Sequence, residues 1–239
     1  PVAVPAQDMG IHQEQIKALY EISKAITSEM YLEDVLKLIV AVTAQVLGSK
    51  ICSIMLLDEK TQTLSIKATQ AMSPEYINKP PLKVGEGIAG RVVAERRPIV
   101  VQDVRKEENY KYRDIARQEG IVSMLSVPME VKGRVIGVLN TYTSKPHRYT
   151  EEEIEVLCSI ANQAAIAIEN TELLVKTRVI QEELETRKKV EKAKGVLMRL
   201  EKLSEEEAYN RIRKYSMDTR RSMREVAEAI ILTEEIKKL

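Results

Sequence analysis

The residues of this 239-residue chain best equipped for chemistry are cations gathered near its C-terminal end. Arg187, Lys188 and Lys194 lead up to Gly195, and the pairs Arg213-Lys214 and Arg220-Arg221 follow. Such groups neutralise phosphates. A glycine inside a helix costs about 1 kcal/mol relative to alanine, so something must require the missing side chain. Either a nucleobase or phosphate chain approaches the backbone there, or a neighbouring helix packs close. Each cation also has a plainer reading. Lys194 is otherwise a solvated surface lysine, and Arg187 has Glu183 and Glu191 four residues away on either side. Arg213 and Lys214 end a helix whose dipole favours cations, and Arg220-Arg221 form a phosphate clamp or a solvated turn.

Other chemistries are poorly supplied. With only His12 and His147, and with Cys52 and Cys158 far apart in apolar runs, no catalytic set or metal site can be assembled, and both cysteines read as buried small hydrophobes. Gly85-x-Gly87-x-x-Gly90 matches the dinucleotide fingerprint, with Asp103, Glu107 and Glu108 near the position of a ribose-binding acid. That fingerprint needs a core strand in a parallel unit, and Pro80-Pro-Leu-Lys-Val84 is too short and Pro-broken to be one. A glycine turn that starts a helix is the expectation, with no catalytic residues and no cofactor.

The elements that position the cations follow from periodicity. Val190, Ala193, Leu197 and Leu200 form one apolar stripe, while Ser204 with Glu207 and Ser222 with Glu225 have capping-box spacing, so three helices close the chain. Tyr209 either stacks on a base or joins the small core of Ala193, Leu197, Ala208, Ile212, Val226 and Ile230. Upstream, no Pro or Gly interrupts residues 150–194, and Ile154, Leu157, Cys158, Ala161, Ala165, Ile168 and Val175 keep near-heptad spacing, with a change of phase over 173–180. One long helix is predicted, whose small alanines let a second copy approach: a parallel homodimer is the expectation.

Before that helix, Ile11 to Leu47 reads as two helices, the second with stripe Val35, Leu36, Ile39, Val42, Val46 and stop Gly48. Strands are predicted at 51–57, 63–71, 99–101, 123–130 and 135–142, with a three-proline loop at 74–81 and a polar segment at 103–120. Short turns between them argue for an antiparallel sheet flanked by helices, an α+β fold. The net charge of +1 conceals an asymmetry: from Lys176 onward there are 17 Lys/Arg against 13 Asp/Glu. No apolar run approaches 18 residues, so no membrane contact is expected and a cytoplasmic location is.

Two resemblances sharpen this. Val84-Gly-Glu-Gly-Ile-Ala-Gly-Arg-Val-Val93, Pro98-Ile-Val-Val-Gln-Asp103, Ser126-Val-Pro-Met129 and Gly133-Arg-Val-Ile-Gly-Val-Leu139 resemble a GAF domain. The resemblance implies a sensory module with a ligand basket on its sheet and, here, an unknown small-molecule ligand. Asn78-Lys79 fits part of a cyclic-nucleotide pattern, but the chain has no Phe to complete it, and neither cysteine suits a bilin. Arg187, Ala193-Lys-Gly195, Leu197-Met198, Ser204, Ala208-Tyr209, Ile212-Arg213, Ser216, Val226-Ala227 and Ile230 resemble an ANTAR domain. That implies binding to paired hairpins with six-base loops in nascent mRNA, so that a terminator cannot form.

The resulting expectation is a loose N-terminus over 1–10, a GAF sensory domain over 11–172, a helical coiled-coil connector over 173–182 and a three-helix RNA-binding bundle over 183–239. RNA contacts are expected from Arg187, Lys188, Lys194, Gly195, Arg213, Lys214, Arg220 and Arg221. The competing expectation is a ligand-sensing dimerisation module whose C-terminal bundle docks on a protein.

Overall fold

The computed structural model describes residues 32–71 and 73–237, so the helix expected before residue 32 lies outside the described residues. The chain divides between Glu172 and Leu173 into two compact units.

In the first unit, α1 (Leu32–Leu47) ends at Gly48, whose φ of 56° lets Ser49 N–H close the helix on Ala44 O at 3.0 Å. Its buried face is Val35, Leu36, Ile39, Val40, Thr43 and Ala44, so Val40 and Thr43 replace the expected Val42 and Val46, which are only half-buried. Strands β1 (Ile51–Asp58) and β2 (Thr63–Thr69) turn at Asp58, whose carboxylate accepts from Lys60 and Thr61 N–H. The three-proline loop contains a short helix, α2 (Pro74–Ile77), because Ser73 caps it by accepting from Tyr76 N–H and Pro74 suits a first helical position. After β3 (Leu82–Lys83) come α3 (Gly87–Glu95), β4 (Ile99–Val101), and α4 (Arg113–Gln118) inside the polar segment. Strands β5 (Ser123–Val131) and β6 (Arg134–Thr143) meet at Lys132-Gly133, both with positive φ, as a tight hairpin turn demands.

The sheet order is β3-β2-β1-β6-β5-β4 and every pair is antiparallel. This removes the parallel unit a dinucleotide site needs. The glycines at 85, 87 and 90 have local reasons instead: Gly85 and Gly87 have φ of 85° and 62°, and a Cβ on Gly90 would lie 2.4 Å from Lys83 O.

One sheet face packs against α1 and the start of α5 (Glu151–Glu201). Thr150 opens α5 by accepting from Glu153 N–H, while Glu153 Oε2 accepts from Thr150 N–H at 2.8 Å. Ala161, Ala164, Ala165 and Ala167 are fully buried in this core. The alanines expected to admit a second copy are therefore already covered by their own sheet, and they allow close helix-on-sheet packing instead.

The other face carries α2, α3 and α4. Beneath them runs a buried polar row: Tyr76 hydroxyl donates to Ser53 Oγ at 3.2 Å, Asn140 Nδ2 to Ser53 Oγ at 3.3 Å, and Ser126 Oγ to Asn140 Oδ1 at 2.6 Å.

In the second unit α5 continues to Glu201, followed by α6 (Glu205–Thr219) and α7 (Met223–Lys237). Ser204 and Glu207 complete a capping box, and so do Ser222 and Glu225. Val190, Ala193, Leu197, Ala208, Ile212, Val226 and Ala227 form the small core, with Ile230 at its edge. Leu200, expected in the stripe, is 53% exposed, because the helix ends at Glu201 before it can be covered.

Candidate functional site

The C-terminal unit is densely charged, and its cations fall into two groups. Lys189 pairs with Glu228, Lys192 with Glu235, Arg199 with Glu234, Arg211 with Glu201, and Arg224 with Glu185 and Glu228. These pairs tie α7 to α5 in parallel and close the α5–α6 turn. Exposed pairs of this sort each contribute little, a few tenths of a kcal/mol.

The second group is exposed and forms no ion pair among the described residues: Arg187, Lys188, Lys202, Arg213, Lys214, Arg220 and Arg221. Six of these seven are cations singled out in the sequence. The suggested pairing of Arg187 with Glu183 or Glu191 does not occur. Arg220 takes a left-handed conformation, φ 54°, that ends α6 and places it beside Arg221 just before Ser222.

Lys194 is the exception. Its side chain is 8% exposed, and its ammonium donates to Glu191 Oε1 and Oε2 at 2.9 Å and to Glu205 Oε1 at 2.7 Å. The two carboxylates hold its pKa above the usual lysine value and Glu205 below the usual carboxylate range. A lysine so engaged fastens the start of α6 to α5. The expected phosphate contact is not open to it in this arrangement, and neither is the solvated alternative.

Gly195 is exposed, and a Cβ built on it would meet nothing within 4 Å. Close packing of another helix therefore does not explain this glycine. Tyr209 is 41% exposed, a correction to its expected core role, because Ala208 and Ile212 already fill the inward face of α6. With Arg187, Val190, Met223 and the carboxylates Glu182, Glu183 and Glu191 it lines an open groove of about 580 Å³. An aromatic ring and a guanidinium in one groove suit a stacked, unpaired base.

A second site lies in the N-terminal unit, over the sheet face that carries α2, α3 and α4. A pocket of about 40 Å³ is lined by Tyr76, Lys79, Tyr110, Tyr112, Met124 and Tyr142, and by Gly87, Ile88 and Ala89 at the start of α3. Lys79 Nζ sits 3.4 Å from the centroid of the Tyr76 ring and 5.5 Å from that of Tyr112. Burial lowers the Lys79 pKa to about 7, offset in part by Glu119. In the sequence, Asn78-Lys79 lacks the Phe that would complete a cyclic-nucleotide pattern, and Tyr110-Lys-Tyr112 belongs to no motif. That run of two tyrosines around a lysine was the available signal.

Cys52 is fully buried, which raises its thiol to about 12, and Cys158 is half-buried with its pKa also raised. Neither is poised as a nucleophile. Among the described residues no cluster of His, Cys, Asp or Glu could hold a metal ion, and no helix is long and apolar enough to cross a membrane.

An antiparallel sheet with helices on both faces and a pocket over one of them is the architecture of small sensory domains, and solved structures agree. The chain resembles the GAF domain of a phosphoenolpyruvate-protein phosphotransferase from Coxiella burnetii, with a TM-score of 0.61 and 26% identity, covering 69% of this chain and 98% of that one. The family models match a GAF domain over residues 29–169 and an ANTAR domain over residues 178–231, and the chain belongs to the GAF-domain family, its GAF domain followed by an ANTAR domain. Curated relatives include the Nif-specific regulatory protein of Herbaspirillum seropedicae, 25% identical over 82% of this chain, and the methyl sulfide methyltransferase-associated sensor of Methanosarcina acetivorans, 27% identical over 67%. This chain spans 38% and 16% of their respective lengths.

Proposed function

We propose that this chain is a dimeric transcription antitermination regulator that binds paired hairpins in nascent mRNA through its ANTAR domain, under control of a signal at its GAF domain. The observation that carries the reading is the partition of cations in the C-terminal unit. Lys194 and the cations that join α5 to α7 are paired, whereas Arg187, Lys188, Arg213, Lys214, Arg220 and Arg221 are exposed and form no ion pair among the described residues. Leaving them free suits an anionic partner. The groove beside Arg187 and Tyr209 offers a stacking surface for a loop base, and Gly195 leaves the helix backbone approachable.

The dimer reading rests on α5. Ile166, Asn170, Leu173, Thr177, Ile180, Leu184 and Arg187 follow a strict four-three spacing, and its large apolar members are exposed, Ile180 at 64%. A second copy lying parallel would bury this seam. Asn170 at an inner position would fix register, and Glu183 of one copy would stand across from Lys188 of the other. In that arrangement Arg187 and Lys188 each have two competing roles, and RNA and dimer measurements separate them.

The test is binding of the full chain to labelled RNA carrying two adjacent hairpins with six-base loops, against a single-hairpin control. Binding that requires both hairpins is expected, with affinity falling steeply as salt rises. Arg187→Ala with Arg220→Ala and Arg221→Ala should weaken it by about 1 kcal/mol or more per lost contact and flatten the salt dependence. Unchanged affinity in that folded triple variant would remove the proposed interface. The competing protein-docking reading draws on an apolar groove of about 260 Å³ lined by Leu197, Ile212, Tyr215, Val226 and Ile230. A co-purifying partner released by ribonuclease decides for RNA.

A further inference from the structure

The pocket of the GAF domain holds three independent features that favour a negative charge, and no acid to satisfy them. First, Lys79 points its ammonium into a ring-lined, largely buried space, and no carboxylate among the described residues lies within ion-pair distance of it. Its other neighbours are aromatic. Tyr76 and Tyr142 are fully buried, and Lys111, which also lines the pocket, is held by Glu86. Glu119 acts on Lys79 only at longer range, and its carboxylate accepts from Ser73 N–H.

Second, the nine-residue helix α3 begins at this pocket with Gly87, Ile88 and Ala89, and no side chain caps it. Glu86, at the capping position, instead accepts from Lys83 N–H and from Lys111. The first turn of α3 thus lines the pocket with no side chain capping its amides, at the positive end of the helix dipole. Third, Tyr110 lines the same pocket, and its hydroxyl has no hydrogen bond to another described residue, unlike that of Tyr76. A phenol that lines a cavity can donate to an acceptor placed there.

Size then narrows the class. A cavity needs roughly 10–15 Å³ on this measure to hold one water. At about 40 Å³ the pocket has room for a group of three or four heavy atoms. A nucleotide or a tetrapyrrole does not fit without prising the tyrosines apart.

We propose that this pocket binds a small oxyanion or short carboxylate, held by the Lys79 ammonium, the amides at the start of α3 and the Tyr110 hydroxyl. The proposal rests on reading the N-terminal unit as the sensory one and names the class of signal it takes. Binding draws the ammonium off the Tyr76 ring toward the anion, so the tyrosine environment changes with occupancy. Only the protonated amine pairs with the anion. Because the free Lys79 titrates near neutrality, affinity is full at low pH and declines as pH rises through and above 7, the bound anion shifting that decline upward.

The experiment titrates the full chain with acetate and with nitrate by calorimetry at constant ionic strength, with acetamide as the neutral control. Tyrosine fluorescence is followed in parallel; the chain has nine tyrosines and no tryptophan. Saturable binding of at least one anion is expected, with none for acetamide. Lys79→Met should weaken it by about tenfold or more, as the loss of a charge-assisted bond implies, and Tyr110→Phe by a few-fold. Lys67→Gln, an exposed lysine on β2, should bind like the parent. The proposal is overturned if acetamide binds as well as acetate, if the folded Lys79→Met protein binds as the parent does, or if neither anion binds at tens of millimolar. None of these outcomes bears on the RNA measurement, so the failure of this site and the failure of the regulator reading are told apart.

Discussion

Gly195 shows how a single residue separates stability from function. Nothing in its surroundings would clash with a methyl group, so Gly195→Ala should raise helix stability by about 0.5–1 kcal/mol. If the gap serves RNA, the same variant should bind hairpins more weakly while melting at a higher temperature. Thermal melts followed by circular dichroism, alongside gel-shift titrations, measure both. A variant that is more stable and binds normally would show that the gap has no role. At this scale the sequence was only partly legible. The unpaired arginines were found because charge is visible in composition. The engagement of Lys194 is not legible, because a lysine three residues from one glutamate and eleven from another gives no hint that both converge on it. The apolar neighbours of Tyr209 suggest a core role, whereas its ring lies on the exposed face of α6 and lines a groove together with Arg187 of α5.

Among the elements, α5 carries the most information. Its 51 residues match the long helix expected from an unbroken stretch without proline, and it passes through Gly195 to Glu201. The change of phase seen in the sequence over 173–180 has a physical origin: the residues up to Ile168 serve the sheet, and from Leu173 a different row, including Ile180 and Leu184, stays exposed. If that row joins two copies, Leu173→Lys with Ile180→Lys should convert a dimer into a monomer at micromolar concentration, as read by light scattering, with the folded signal retained. A protein that is monomeric before any substitution would end the seam argument. The short helices were harder to foresee. α2 depends on one Ser73 cap, and α4 lies in a segment whose polar composition hides Ala116 in the core.

For the whole molecule, acid is the informative perturbation. Glu86, Glu95, Asp103 and Glu169 in the first unit, and Glu205, Glu207, Glu225 and Glu228 in the second, all have lowered pKa values, through hydrogen bonds from partner cations or from backbone at helix starts. Groups depressed on folding contribute stability that is present above the unfolded carboxylate range and lost as pH falls through it. The melting temperature should therefore hold steady down to about pH 5 and decline below it. Because these contacts are exposed, added salt should shrink the decline. Melts recorded across pH at two salt concentrations test this, and a melting temperature indifferent to acid would contradict it.

The sheet also ends in strands of two residues, Leu82–Lys83, and three residues, Ile99–Val101. An edge that brief offers a passing chain almost no ladder of unpaired amides and carbonyls on which to add itself. The longest and most apolar strands, β1, β5 and β6, lie inside the sheet, sealed on both sides. The molecule is thereby shielded from joining others strand to strand, and a crowded solution of it should stay clear of fibres while the sheet remains folded.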